Sequence, residues 1–72
     1  MFIKSQSNET IINLDRVCFI RKYNNYSDNI PYIEFYYSGI DKDSDLWRYD
    51  SIEERDEDFE KIEKLLNVVQ FK

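Results

Sequence analysis

With Cys18 as its sole cysteine and no histidine in 72 residues, the chain has neither a disulfide nor a cysteine-rich zinc cluster, the staples on which small secreted domains usually depend. An apolar core has to hold it together unaided. A chain this short buries only about 60% of the surface that its unfolded form exposes, so it supports one core and one domain, residues 1–72. The 42% of hydrophobic residues, with a single Gly and a single Pro, supply too much buriable surface for a disordered tail. Ala is absent and Ile, Tyr and Phe dominate the apolar set; Ile and aromatics favour pleated sheet over helix. Sheet is therefore expected over the first two thirds.

The same two absences narrow the chemistry. Ser-His-Asp and Cys-His nucleophilic arrangements are excluded, as is nearly every zinc site, and Gly39 as the only glycine rules out a Gly-rich phosphate loop. Paired carboxylates perform acid–base work only where burial or mutual repulsion separates their pKa values, and most acids here fall on a helix face or in a loop. The chain reads as a non-enzyme with no cofactor. Asp41, Asp43 and Asp45 have the spacing that opens a calcium loop, but its sixth and twelfth positions hold Leu46 and Ile52 in place of Gly and Glu. The calcium-loop pattern therefore fails, and a charged hairpin loop that discourages edge-to-edge aggregation is the better account of the three aspartates. No segment resembles a signal peptide and no apolar run approaches the roughly 20 residues of a membrane span, so a cytoplasmic location without a membrane partner is expected.

Along the chain, Phe2–Gln6 reads as a short strand, Ser7-Asn8-Glu9 as a turn and Thr10–Leu14 as a resumed apolar stretch. Val17–Tyr23, continuously apolar at its start and alternating at its end, reads as the central strand. The polar run from Asn24 to Asn29 is a loop, and Pro31 opens the next strand because its missing N–H is tolerated at a first position. In that strand Tyr32, Glu34 and Tyr36 share one face and Ile33, Phe35 and Tyr37 the other, which is the better core candidate. Leu46–Tyr49 is the last strand, reached by a hairpin connection from Ser38 to Asp45. Ser51-Ile52-Glu53-Glu54 has the spacing of a capping box. From it runs a helix with Ile52, Phe59, Ile62, Leu66 and Val69 on one stripe, with Glu57/Lys61 and Glu60/Lys64 at ion-pair spacing. The expected architecture is α+β: an antiparallel sheet of about four strands packed on one C-terminal helix.

Charge is local. Residues 1–40 carry four acids and four bases, residues 41–60 ten acids against Lys42, Arg48 and Arg55, and residues 61–72 three lysines against Glu63, which together give the net −5. A dense negative surface repels phosphate backbones and anionic lipid and favours a basic protein partner; a solvated face that maintains solubility is the plainer reading. The partner surface this predicts comprises Glu53, Asp56, Glu57 and Glu60 on the helix. Aromatics add to it. One helix covers one face of a sheet, so Tyr23, Tyr32, Tyr36, Trp47 and Tyr49 cannot all lie beneath it, and Tyr32, Tyr36 and Trp47 are the candidate aromatic anchors. Arg21 and Lys22 beside Tyr23 and Tyr26 have the mixture that stacks single-stranded nucleic acid, but the neighbouring acids argue against direct nucleic-acid contact.

Phe2-Ile3-Lys4-Ser5-Gln6, Ile11-Ile12-Asn13-Leu14-Asp15 and Tyr49-Asp50-Ser51 with Glu53-Glu54 resemble small proteins of Firmicutes and their phages, over about half the chain at scattered positions. The resemblance implies a compact sheet capped by a C-terminal helix and carries over no catalytic or binding residues. The Asn-rich loop at 24–29 and the acidic helix depart from it. Together these features point to an acidic, phage- or mobile-element-encoded protein that blocks a basic nucleic-acid-handling host enzyme. Self-association through the tyrosine face and nucleotide binding by stacked tyrosines are the alternatives.

Overall fold

A computed structural model describes residues 1–25, 27–38 and 43–71. Tyr26 and residues 39–42 lie outside the described residues, and with them the tip of the expected hairpin and Asp41.

The secondary structure is α+β, as expected, but its strands form two antiparallel sheets. Strand β1 (Phe2–Lys4) pairs with β2 (Ile11–Asn13), while β3 (Val17–Asn24), β4 (Pro31–Tyr37) and β5 (Ser44–Arg48) form a second sheet in that order. The first hairpin turns through Asn8 at φ 63, a left-handed position that Asn tolerates well. With three residues per strand it forms a separate ribbon. A single 3₁₀ turn, Leu14–Arg16, then leads into β3 and is capped at its start by the Asn13 side chain, which accepts from the Asp15 N–H at 3.1 Å.

The strand order corrects the expectation that Val17–Tyr23 is central: β4 is central and β3 an edge. The four apolar residues that open β3 suit either position. Here Ile20 and Val17 pack on the core while Phe19 faces outward.

Helix α1 (Ile52–Leu66) begins as its sequence directs. Ser51 is the N-cap and its hydroxyl accepts from the Glu54 N–H at 3.1 Å, whereas the Glu54 carboxylate makes no return bond to Ser51. The helix ends at Asn67 in the left-handed conformation (φ 55), where the N–H groups of Asn67 and Val68 close on Glu63 and Lys64 carbonyls. Val69 is thus beyond the helix and exposed. Of the expected stripe only Ile62 is fully buried and Phe59 partly so, while Ile52 and Leu66 lie at its margin, about half exposed. Arg55 takes the buried position nearer the helix start. Its guanidinium bonds Asn24 Oδ1, the Tyr23 carbonyl at 3.4 Å and Asp56 at 3.2 Å, tying the beginning of α1 to the end of β3.

Helix and ribbon cover the same face of the three-stranded sheet. The core is Ile12 and Leu14 from the ribbon side, Ile33 and Phe35 from β4, Trp47, Tyr49 and Ile62. Among the described residues, the other face of the sheet has no layer over it.

Candidate functional site: the uncovered sheet face

Register determines what this face displays. Cross-strand partners share a face, and the pairings of β4 with both neighbours give three rows: Phe19–Tyr36–Ser44, Arg21–Glu34–Leu46 and Tyr23–Tyr32–Arg48. Phe19 and Tyr36 stack at 4.8 Å between centroids with planes 10° apart, and Tyr23 and Tyr32 at 5.5 Å and 21°. Between the two pairs the Arg21 guanidinium bonds the Glu34 carboxylate and also lies 5.3 Å from the Tyr23 ring. Glu34 is only 8% exposed despite facing away from the core, because residues two apart on the strand and those opposite it close round its carboxylate. Leu46 and Arg48 stand exposed at the β5 side. The result is a central ion pair of a buried carboxylate and an exposed guanidinium, flanking aromatic pairs and an apolar and cationic rim. That composition, rich in Tyr and Arg, characterises binding hot spots.

Stacking also says what the face does not offer. Side chains stand roughly perpendicular to a sheet, so rings stacked across strands turn a face to each other and present edges and hydroxyls outward. Nucleobases need open ring faces. Tyr23 is further enclosed by Arg21.

The residues expected at the partner surface divide. Tyr32 and Tyr36 lie on this face, half-buried by their neighbours. Trp47 does not: it is 6% exposed, packed at 4.6 Å on Phe35, with its indole N–H enclosed and without an acceptor among the described residues. It serves as core, and alternation along β5 places Leu46 and Arg48 outward in its stead. Glu53, Glu57 and Glu60 are exposed on the helix, in the layer on the far side of the sheet from Tyr32 and Tyr36. Asp56 is half-buried and engaged, 3.5 Å from Lys22 and 3.2 Å from Arg55, so it is a structural acid. Glu60 pairs with Lys64 at 3.3 Å as spaced; Lys61 approaches Asp58 at 4.0 Å and not Glu57. The acids and aromatics therefore form two surfaces rather than one. Phe19, Arg21, Leu46 and Arg48 were missing from the expected set, although the alternation Phe19, Arg21, Tyr23 would have marked three face-mates once β3 was read as one-sided.

Two tyrosines have strongly altered acidity. Burial, then the hydrogen bond and charge of Asp45, push the Tyr37 hydroxyl up to about 12. Burial and Asp58, whose Oδ2 accepts from the hydroxyl at 2.8 Å, push Tyr49 up further. Both stay protonated donors to a carboxylate. Asp45 thus bonds Tyr37, Asp43 is exposed, and among the described residues no three His, Cys, Asp or Glu side chains gather to hold a metal. No helix among the described residues is long and apolar enough to cross a membrane.

No protein-family model matches the chain, and no curated protein or solved structure gives a significant match.

Proposed function

We propose that this chain is a non-catalytic protein-binding domain that seats a partner on the uncovered face of its three-stranded sheet. The observation that carries the reading is the paired stacks Phe19–Tyr36 and Tyr23–Tyr32 around the Arg21–Glu34 ion pair, with no layer above them among the described residues. The rings are already ordered by stacking, so little side-chain entropy is lost when a partner closes on them, and their edges and hydroxyls suit a protein surface better than bases.

A second reading rests on Glu53 and Glu57, which are exposed on α1 and have no ion-pair partner among the described residues. An acidic helix face of this kind suits a basic nucleic-acid-handling enzyme, whose substrate channel is positive.

Affinity capture from the host with four baits separates the two. Wild type and Glu53→Lys/Glu57→Lys recover the same partner on the first reading, while Tyr32→Ala and Tyr36→Ala lose it. The reverse pattern transfers the site to the helix and overturns the sheet-face reading.

A further inference from the structure

The geometry points to a second copy of this chain docking antiparallel along the free edge of β3, centred on Ile20. Four observations lead there. Backbone parity comes first. Pro31 O accepts from Tyr49 N–H at 3.0 Å and Tyr37 N–H donates to Asp43 O at 3.0 Å, so odd-numbered β4 residues point their backbone groups at β5. Tyr32, Glu34 and Tyr36 accordingly point theirs at β3, where they face Tyr23, Arg21 and Phe19. The N–H and C=O groups of Ile20 and Lys22 are left on the outer edge, with no backbone partner among the described residues. The β5 edge differs, since the hairpin turn Ser5–Thr10 and residues 46–50 line one cleft of about 450 Å³ beside it.

Next to the β3 edge runs an apolar groove of about 320 Å³, formed by Val17, Phe19 and Ile20 with Phe59, Leu66 and Val68 of the helix side. Beyond it the chain from Val68 to Phe71 leaves the helix without regular structure, with Val69 77% and Phe71 90% exposed. Uncovered groove and uncovered apolar segment occur on one molecule, which is what a self-complementary two-fold contact requires.

Charge selects the register and favours a copy over an unrelated strand. Residues that pair across the two-fold must share a face and present free backbone groups; the end of β3 at Asn24 is held by Arg55, which leaves Ile20 opposite Ile20, Ile20 opposite Lys22, or Lys22 opposite Lys22. The second sets Arg21 against Arg21 and the third sets the lysines against each other; like charges directly opposite are unfavourable. The first sets Phe19 against Arg21 twice and keeps the bases apart. Lys22 does not block the edge, because its ammonium lies 3.5 Å from Asp56 and over the Phe59 ring.

The helices agree. Arg55 binds the end of β3 while Leu66 lies in the groove with Val17, so α1 runs opposite to β3. Two antiparallel β3 strands bring two antiparallel helices, the acidic start of one (Glu53, Glu54, Glu57) toward the lysine-bearing end of the other (Lys61, Lys64).

Sedimentation velocity of the full chain over a concentration series tests this. Wild type is expected to reach twice the monomer mass. Phe19→Glu and Phe19→Arg delete the same ring and the same Tyr36 stack but set opposite or like charge against Arg21 of the other copy. Two symmetric pairs should separate their dissociation constants by about a hundredfold, the Glu variant being tighter. Leu66→Glu, at an already exposed helix position, should weaken the dimer while retaining its circular dichroism, and Tyr32→Ala should leave the mass unchanged. A chain monomeric at millimolar concentration, equal association of the two Phe19 variants, or loss of the dimer with Tyr32→Ala but not Leu66→Glu overturns the β3 pairing. Loss of the dimer with Tyr32→Ala alone would instead seat the second copy on the sheet face; the other outcomes leave the sheet-face reading untouched, and the capture with Tyr36→Ala decides it.

Discussion

Tyr49 lies inside the core just past the end of β5 and keeps its proton: its hydroxyl donates to Asp58 in the first half of the helix. Its ionisation is harder in the folded chain than in the unfolded one, as is that of Tyr37. A group whose folded pKa is raised lends stability that is intact below the unfolded value and is lost as pH climbs toward the folded one. For Tyr37 that window runs from 10.0 to about 12, and for Tyr49 it begins at the same ordinary value and extends further. Urea midpoints should therefore hold to about pH 9 and fall steeply above it. Tyr49→Phe should cost about 1.5 kcal/mol at neutral pH, the worth of a hydrogen bond to a charged acceptor, and should flatten the alkaline fall; an identical pH profile would mean the Tyr49–Asp58 bond is not made in solution. Nothing in the sequence marked this pair. Tyr49 was legible as a strand residue, but Asp58 was one of ten acids in twenty positions, and only the angle between β5 and α1 singles it out.

Elements were legible where local chemistry decides them and obscure where tertiary choice does. Ser51 defined the helix start from hydroxyl chemistry alone, and the Ile33/Phe35 face of β4 followed from alternation, since a residue's face is set by parity whatever the strand pairs with. Strand order was hidden because Val17–Ile20 is apolar enough for a centre or for an edge beside a groove. Trp47 was misplaced for a related reason: β5 is a five-residue strand with exposed Leu46 and Arg48 alternating about it, and an outward Leu is not a sequence signal. Three substitutions probe the elements. Ser51→Ala should cost about 1 kcal/mol through loss of the cap, measured by thermal melting, whereas Glu54→Ala should cost little because no return bond is formed. Arg55→Lys should fail to replace Arg55, because an ammonium cannot span Asn24 Oδ1, the Tyr23 carbonyl and Asp56 together. A stability loss of about 1–3 kcal/mol is expected; full retention would show that the tie between α1 and β3 carries no weight.

At the scale of the whole molecule, the two candidate surfaces lie in opposite layers of a body 27–30 Å across. The screening length at physiological ionic strength is about 8 Å. The carboxylates of Glu53, Glu57 and Glu60 therefore exert little field over Tyr32 and Tyr36, and a partner on the sheet face feels mainly Arg21, Glu34 and Arg48. Association there should respond weakly to salt, in contrast to a basic partner on α1, whose on-rate would fall steeply. The aromatic contacts act differently: anchors that become fully desolvated control dissociation. In surface-plasmon measurements with the captured partner, Tyr36→Ala should accelerate dissociation by about tenfold or more, equivalent to a hot-spot loss above 1 kcal/mol. It should do so with little change in association, and Glu53→Lys/Glu57→Lys should alter neither rate more than about twofold. Strong salt dependence together with slowed association in the lysine variants would place the partner on the helix, where the stacked pairs of the sheet have no means of reaching it.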